Sequence, residues 1–275
     1  MSTHAIYLKN FADFIEKNIG IIYQEANYFQ LEHRLNDICT QTGVASISDL
    51  WSKVSVGTEP RMKELILDLA TNNETSFYRD SAIFKSLIDF IVPELVKKFP
   101  NKKVIDIWSA AGSTGQEAYS ITMSFYNAKE QNPSFPDCSI LVSDISERVL
   151  QKSKDGLYNH LDVQRGLPAK NLITFFEKEG DSNWRVKSHL RNKLSFRKLN
   201  LLEPFPTLGS FDVIFCRNVL IYQSVENKIS VIKKLSQLLP IGGYLILGSA
   251  ESMIGLSEDF KQIHQERAVF FEKIK

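Results

Sequence analysis

Cysteine is scarce in this chain: Cys39, Cys138 and Cys216 are the only three in 275 residues. An odd number of widely separated cysteines supports neither a disulfide framework nor a paired-cysteine zinc site, so a reducing compartment is expected. No stretch approaches the roughly 18 apolar residues that span a bilayer. The first apolar segment is interrupted by Lys9, Asp13, Glu16 and Lys17, unlike the unbroken core of a signal peptide. A cytoplasmic location with no direct membrane insertion is therefore expected. A surplus of charge is also missing, because the formal net charge is +1, which argues against chain-wide attraction to nucleic acid. Two phosphate-binding signatures are absent as well: no Gly-x-Gly-x-x-Gly follows a strand and no Gly-Lys-Ser/Thr closes a turn.

With 43% hydrophobic, 11% aromatic and 24% charged residues, the composition is that of an ordinary globular protein. Residues 1–70 carry six Lys or Arg against nine Asp or Glu, whereas 165–198 carry nine basic residues against three acidic ones. The first 70 residues read as helices. Leu31, Leu35 and Ile38 share one face, and Met62, Leu65, Ile66 and Leu69 repeat at helical spacing. Thr58, two residues before Pro60, is a plausible helix start. The polar stretch TNNETSFYRD at 71–80 reads as a connector to a second domain.

Beyond it, short apolar runs at 104–108, 139–144, 194–199, 212–216, 244–248 and 268–274 alternate with helical patterns. Such alternation indicates a doubly wound, mostly parallel sheet. About 40 residues between Ser153 and Leu194 break the rhythm, more than an αβ loop needs. An inserted subdomain holding the basic stretch is expected there.

The first run enters a turn of small residues, Ser109 to Gly115, where Gly112 and Gly115 let a ligand approach backbone at the carboxyl end of the sheet. The bland alternative is tight strand-to-helix packing. Asp144 ends the next run, where Rossmann-type sites hold ribose hydroxyls; it could equally cap the following helix. Asn200 and Leu201, after the third run, could read an adenine edge and face. Without a phosphate cradle, a phosphate-free adenosyl compound such as S-adenosylmethionine (SAM) suits these residues.

The blocks TNNETSFYRD, WSAAGSTGQEAYS, SDIS, FDVIFCRNVLIY and GGYLILGSAES occur in order, and with them the chain resembles the CheR family, the chemotaxis receptor glutamate O-methyltransferases. The resemblance runs from about residue 5 to the C-terminus. It implies a Rossmann-like class I SAM-dependent methyltransferase domain in an α/β fold. It also implies an N-terminal helical domain at 1–70, a linker contributing to the cofactor site at 71–82, and a catalytic domain at 83–275. A small antiparallel β-subdomain is expected at about 168–198.

Carried over residue by residue, the family's SAM contacts fall on Asn73, Thr75, Arg79, Glu117, Asp144, Asn200, Leu201, Asn218 and Val219, beside the Gly112 turn. Arg79 and Tyr222 line the family's methyl-transfer site; without the motif they read as a surface ion-pair former beside Asp80 and a half-buried aromatic. The resemblance implies a reaction giving glutamyl methyl esters and S-adenosylhomocysteine. The implied partner is the cytoplasmic domain of a methyl-accepting chemotaxis receptor, with its C-terminal tail a candidate for the β-subdomain, and the enzyme a monomer.

The chain departs from the family pattern at several places. The helix around 28–43 is typically arginine-rich, yet here only Arg34 is cationic. Gln116 and Ala118 replace Glu and Pro, and Tyr78 and Gln223 each replace Phe. The rival readings are a SAM methyltransferase of another protein or a small molecule, and a SAM-sensing module without turnover. An Asn/Asp-Pro-Pro-Tyr segment of amino-methylating enzymes is absent; Arg217 to Tyr222 stands in its place.

Overall fold

The computed structural model describes residues 3–57 and 59–275. Four helices come first: α1 (Thr3–Ile19), α2 (Tyr28–Thr42), α3 (Ile47–Ser55) and α4 (Pro60–Ala70). They bury Phe11, Ile15, Leu31, Leu35, Leu50 and Ile66 against one another, the apolar stripes that helical spacing announces. Ser46 caps α3 by accepting from the Asp49 N–H, and Gly43 ends α2 in the left-handed conformation that glycine adopts without steric cost. Pro60 opens α4 directly after Glu59. Thr58 lies outside the described residues.

The second unit begins with α5 (Ser81–Ser86), which runs through one π turn at Leu87–Ile91 into α6 (Val92–Lys98). Then follow β1 (Val104–Ala110), α7 (Gln116–Gln131), β2 (Asp137–Asp144) and α8 (Glu147–Asp155). A smaller segment contains β3 (Leu157–Asn159), α9 (His160–Gln164), α10 (Ala169–Phe175), β4 (Phe176–Glu179), β5 (Asn183–Val186) and α11 (Ser188–Arg191). The chain closes with β6 (Leu194–Lys198), β7 (Val213–Cys216), α12 (Val225–Gln237), β8 (Tyr244–Leu247), β9 (Phe260–Gln265) and β10 (Ala268–Lys273).

Seven strands form the main sheet in the order β6-β2-β1-β7-β8-β10-β9. The first five are parallel, and β10 and β9 pair antiparallel at one edge. Side chains along β1 alternate between faces. Ile105 and Ile107 pack on one side with helix 81–98 and α7, and Trp108 and Ala110 on the other with α12. Both faces of the central strands are thus covered, which is why β1, β2, β7 and β8 read as largely apolar runs. β9 was not legible in that way: Phe260–Gln265 is an edge strand in which only Phe260 is buried, so it lacks the apolar pattern.

The inserted antiparallel sheet, β3-β5-β4, differs in extent from the 168–198 expectation. It begins at Leu157, and Leu194–Lys198 pairs with β2 in the main sheet instead. The reason is packing. Tyr158, Phe176 and Val186 close a separate core with Phe77 of the connector, and this core needs the earlier strand.

The basic stretch is no free cationic surface. Six of its nine cations have partners within the protein: Arg165 with Glu74, Arg185 with Glu179, Lys193 with Asp137, Lys198 with Glu64, Lys187 with the Thr174 carbonyl and Arg197 with the Thr207 carbonyl. Among the described residues, no helix is long and apolar enough to cross a membrane.

Candidate active site

The carboxyl ends of β1, β2 and β7 open into a cleft roofed by the connector. Thr71, Asn72, Asn73, Glu74, Thr75, Ser76 and Arg79 line one side. Gly112, Glu117, Asp144, Asn200, Leu201, Asn218, Val219 and Tyr222 line the rest, so the residues proposed from the sequence for the cofactor and the chemistry face this cavity, with the exception of Gly115. Ligands of open α/β sheets sit at this edge, where strand order reverses between β2-β1 and β1-β7.

The turn after β1 corrects one expectation. A Cβ on Gly112 would meet Val142 Cγ1 at 2.7 Å and Ser109 Oγ at 2.9 Å, and one on Gly115 would meet Ser153 Oγ at 2.1 Å. Both glycines are closely packed within the protein, but Gly112 also lines the cavity whereas Gly115 does not. Ala111 and Ser113 instead hold φ of 56° and 51°. Non-glycine residues in this region persist only where surroundings over-determine them. Here the Ser113 N–H donates to Asp144 Oδ2 at 3.0 Å and its hydroxyl donates to the Asn73 carbonyl at 2.9 Å.

Asp144 is 6% exposed, and its Oδ1 accepts from the Ser146 N–H at 3.0 Å. The cap of α8 is Ser146, whose hydroxyl accepts from the Val149 N–H, so Asp144 is not the helix cap. Burial pushes its carboxyl above the usual range while the backbone N–H groups pull the other way. Each carboxylate oxygen keeps a further lone pair for an incoming hydroxyl.

Glu117 opens α7. It accepts from Ser109 Oγ at 2.7 Å on one oxygen and from Arg217 Nη1 at 3.1 Å on the other. Arg79 does not pair with Asp80; its Nη1 donates to the Glu74 carbonyl at 3.3 Å, and Asp80 is bound by Arg217. The Tyr222 hydroxyl accepts from Asn72 Nδ2 at 3.2 Å. Asn200 spends its side chain internally, donating to the Asn18 carbonyl at 2.7 Å and accepting from the Leu202 N–H at 3.0 Å. Its amide thus ties the end of α1 to the sheet.

Several contributions to the site were not apparent in the sequence. Glu251 accepts from the N–H groups of Gly248, Asn218, Val219, Leu220 and Ile221, fixing the loop that presents Asn218, Val219 and Tyr222. Arg217 is buried. Ile19 and Ile21, with Gln223, complete the wall. Gln223 donates to the Ile19 carbonyl at 2.9 Å beside Gly20, where a Cβ would meet its Oε1 at 1.8 Å. The departure from Phe at this position is therefore accommodated by a buried hydrogen bond to α1. Tyr78 behaves similarly. Its hydroxyl accepts from Asn171 at 2.7 Å, and burial pushes its pKa up to about 12.

A parallel sheet of this order with an antiparallel edge pair, an acid ending its second strand and a phosphate-free turn defines a class I SAM-dependent methyltransferase. The donor set suits that molecule, because carboxylates at Asp144 and Glu117 match hydroxyls and a cationic tail. Residues 73–269 match a family described as "CheR methyltransferase, SAM binding domain". Relatives agree along nearly the whole length. The chain is 37% identical to a chemotaxis protein methyltransferase of Vibrio parahaemolyticus over 96% of this chain and 95% of that one. It is 33% identical to chemotaxis protein methyltransferase Cher2 of Pseudomonas putida over 99% of both. The chain belongs to the CheR methyltransferase family, and SAM is its methyl donor.

Proposed function

We propose that this protein transfers the methyl group of SAM to glutamate side chains on the cytoplasmic helices of a methyl-accepting chemotaxis receptor. The observation that carries the reading is the wall joining Arg79, Asn72 and Tyr222 to the Asp144–Glu117 side of one cavity, in a chain whose relatives are chemotaxis protein methyltransferases. In this reading Asp144 holds the ribose hydroxyls, Glu117 the amino group of the methionine tail, and Asn73, Thr75, Leu201, Asn218 and Val219 enclose the adenosyl group. Asn200 borders the adenine.

SAM supplies a methyl carbon on a positively charged sulfur, a leaving group that needs no protonation. A glutamate oxygen forms the new bond to that carbon, the carbon–sulfur bond breaks, and its electron pair stays on sulfur as neutral S-adenosylhomocysteine. Glutamate, with a reference pKa of about 4.3, is already ionised near neutrality, so no general base is required. The chain's task is alignment and exclusion of water. Arg79 offers charge-assisted hydrogen bonds to anionic groups, and the Tyr222 hydroxyl orients the acceptor oxygen.

Docking does not follow the arginine-rich helix of the family pattern. Arg34 donates to the Ala70 carbonyl at 2.7 Å and to the Tyr23 hydroxyl at 2.9 Å, so α2 offers no free cation of its own to an acidic helix bundle. The compensated basic stretch likewise gives no charge argument for a receptor tail.

The test is to incubate the enzyme with SAM and receptor-containing membranes, then map the methyl group by tandem mass spectrometry. Methylation of glutamate side chains supports the proposal. Methyl groups on other residues or on a small molecule would replace the acceptor, and binding without any turnover would make the protein a SAM sensor.

A further inference from the structure

Arg217 directly follows β7 with its side chain 4% exposed, and none of the cofactor or acceptor roles above uses it. Its guanidinium joins three segments. Nη1 donates to Glu117 Oε2 at 3.1 Å, and Nη2 donates to the Arg79 carbonyl at 2.9 Å and to Asp80 Oδ2 at 2.5 Å. Its Nε is buried without a partner, so its polar hold rests on the two terminal nitrogens. A buried arginine is costly unless its charge is matched, and here two carboxylates and a carbonyl match it.

The backbone it grips is not relaxed. Tyr78 and Asp80, on either side of Arg79, have φ of 50° and 57°, a region that non-glycine residues occupy only when held there. The Tyr78 N–H donates to Ser120 Oγ at 2.9 Å. Arg217 supplies the hold from the other side, on the Arg79 carbonyl and the Asp80 carboxylate. The same guanidinium fixes one oxygen of Glu117 while Ser109 fixes the other.

We infer that Arg217 is a positioning residue: one planar fork sets both the Glu117 carboxylate toward the methyl donor's tail and the backbone from which Arg79 reaches the acceptor. This rests on the roles proposed above for Glu117 and Arg79. A lysine keeps the charge but has no rigid fork with which to hold three acceptors in two directions. Arg217→Lys therefore separates geometry from charge.

The experiment is a pair of double-mutant cycles on the full chain, which isolate coupling between residues in contact. Calorimetry reads S-adenosylhomocysteine affinity for wild type, Arg217→Lys, Glu117→Gln and the double variant. Single-turnover methylation of receptor membranes reads the same set with Arg79→Ala. Arg217→Lys is expected to weaken S-adenosylhomocysteine binding by about tenfold, the scale of one charge-assisted hydrogen bond. That penalty should shrink to less than about twofold in the Glu117→Gln background, and the loss of rate should likewise shrink in the Arg79→Ala background.

Penalties that persist unchanged in both backgrounds would overturn the inference, because a general loss of packing is additive. If Glu117→Gln alone leaves affinity intact, the role of Glu117 fails first and the coupling to the tail falls with it. Should Arg217→Lys not fold, Asp80→Asn removes the charge from one of the three bonds, at a half-exposed carboxylate. It must then lower the transfer rate while sparing S-adenosylhomocysteine affinity; a change in affinity alone would contradict the account.

Discussion

Replacing Asp144 with Asn tests the cofactor edge with a change of a single polar group. The carboxylate already holds the Ser113 and Ser146 N–H groups, one on each oxygen, and each oxygen retains capacity for a ribose hydroxyl. A hydrogen bond to a charged acceptor is worth about 1.5–3 kcal/mol. The amide keeps one neutral acceptor oxygen and turns its nitrogen toward an N–H group. The expected loss is about 2–4 kcal/mol of binding, roughly 30- to 1000-fold in Kd.

Stability responds less clearly, because two effects oppose. One buried N–H loses its partner, at a cost of about 1–3 kcal/mol, but the desolvated charge disappears. Titration calorimetry with S-adenosylhomocysteine is therefore the assay, and a Kd within about threefold of wild type would refute the ribose role.

The pH dependence has a fixed sign. Burial holds Asp144 above its ordinary 3.8 in the free protein, so the folded state keeps this proton to higher pH than the unfolded chain. The group's contribution to stability is unfavourable above the folded pKa and is relieved as pH falls through it. Donating hydroxyls favour the ionised form. Binding then releases a proton, and affinity should weaken as pH falls through the free protein's value, in a window above 3.8; Asp144→Asn should abolish that dependence.

Other expectations concern the acceptor side and the frame around it. Tyr222→Phe and Arg79→Ala should lower the methyl-transfer rate by at least about tenfold, the loss of one oriented hydrogen bond, measured in single turnover with SAM saturating; full rates would remove either residue from the chemistry. Glu251→Gln should free several of five N–H groups and loosen the loop at 218–222, costing about 2–4 kcal/mol, visible as a lower Tm and faster amide exchange there. Phe77→Ala should cost about 3–5 kcal/mol in denaturant unfolding, since its ring sits 5.0 Å from that of Tyr158 and 5.7 Å from that of Phe176.

Much of this site could be read in advance because its residues stand at the carboxyl ends of strongly apolar strands. Asp144 ends, and Asn218 closely follows, a run whose burial made it conspicuous, Asn200 follows the edge strand β6, whose side chains are exposed or half-buried, and the connector at 71–80 is a polar block between two patterned ones. What escaped depends on pairing between distant segments. Gln223 and Ile19 lie 204 residues apart, and Arg217 reaches Asp80 across 137; neither link leaves a local signature. Gly112 lines the cavity and Gly115 does not, a difference the sequence leaves open for a related reason. Small residues in a turn look alike whether they admit a ligand or a neighbouring side chain, and only Val142 and Ser153 in place decide it. The cationic run at 165–198 was visible as composition, while its compensation by Glu74, Asp137 and Glu64 belongs to the folded chain.

The claim on which the account depends is that the acceptor atom is a carboxylate oxygen, and esters differ from methylamines in their lability. Enzyme, receptor membranes and SAM labelled in its methyl group should yield labelled protein that releases volatile methanol on brief treatment with alkali. Protein-bound label that survives the alkali would contradict it.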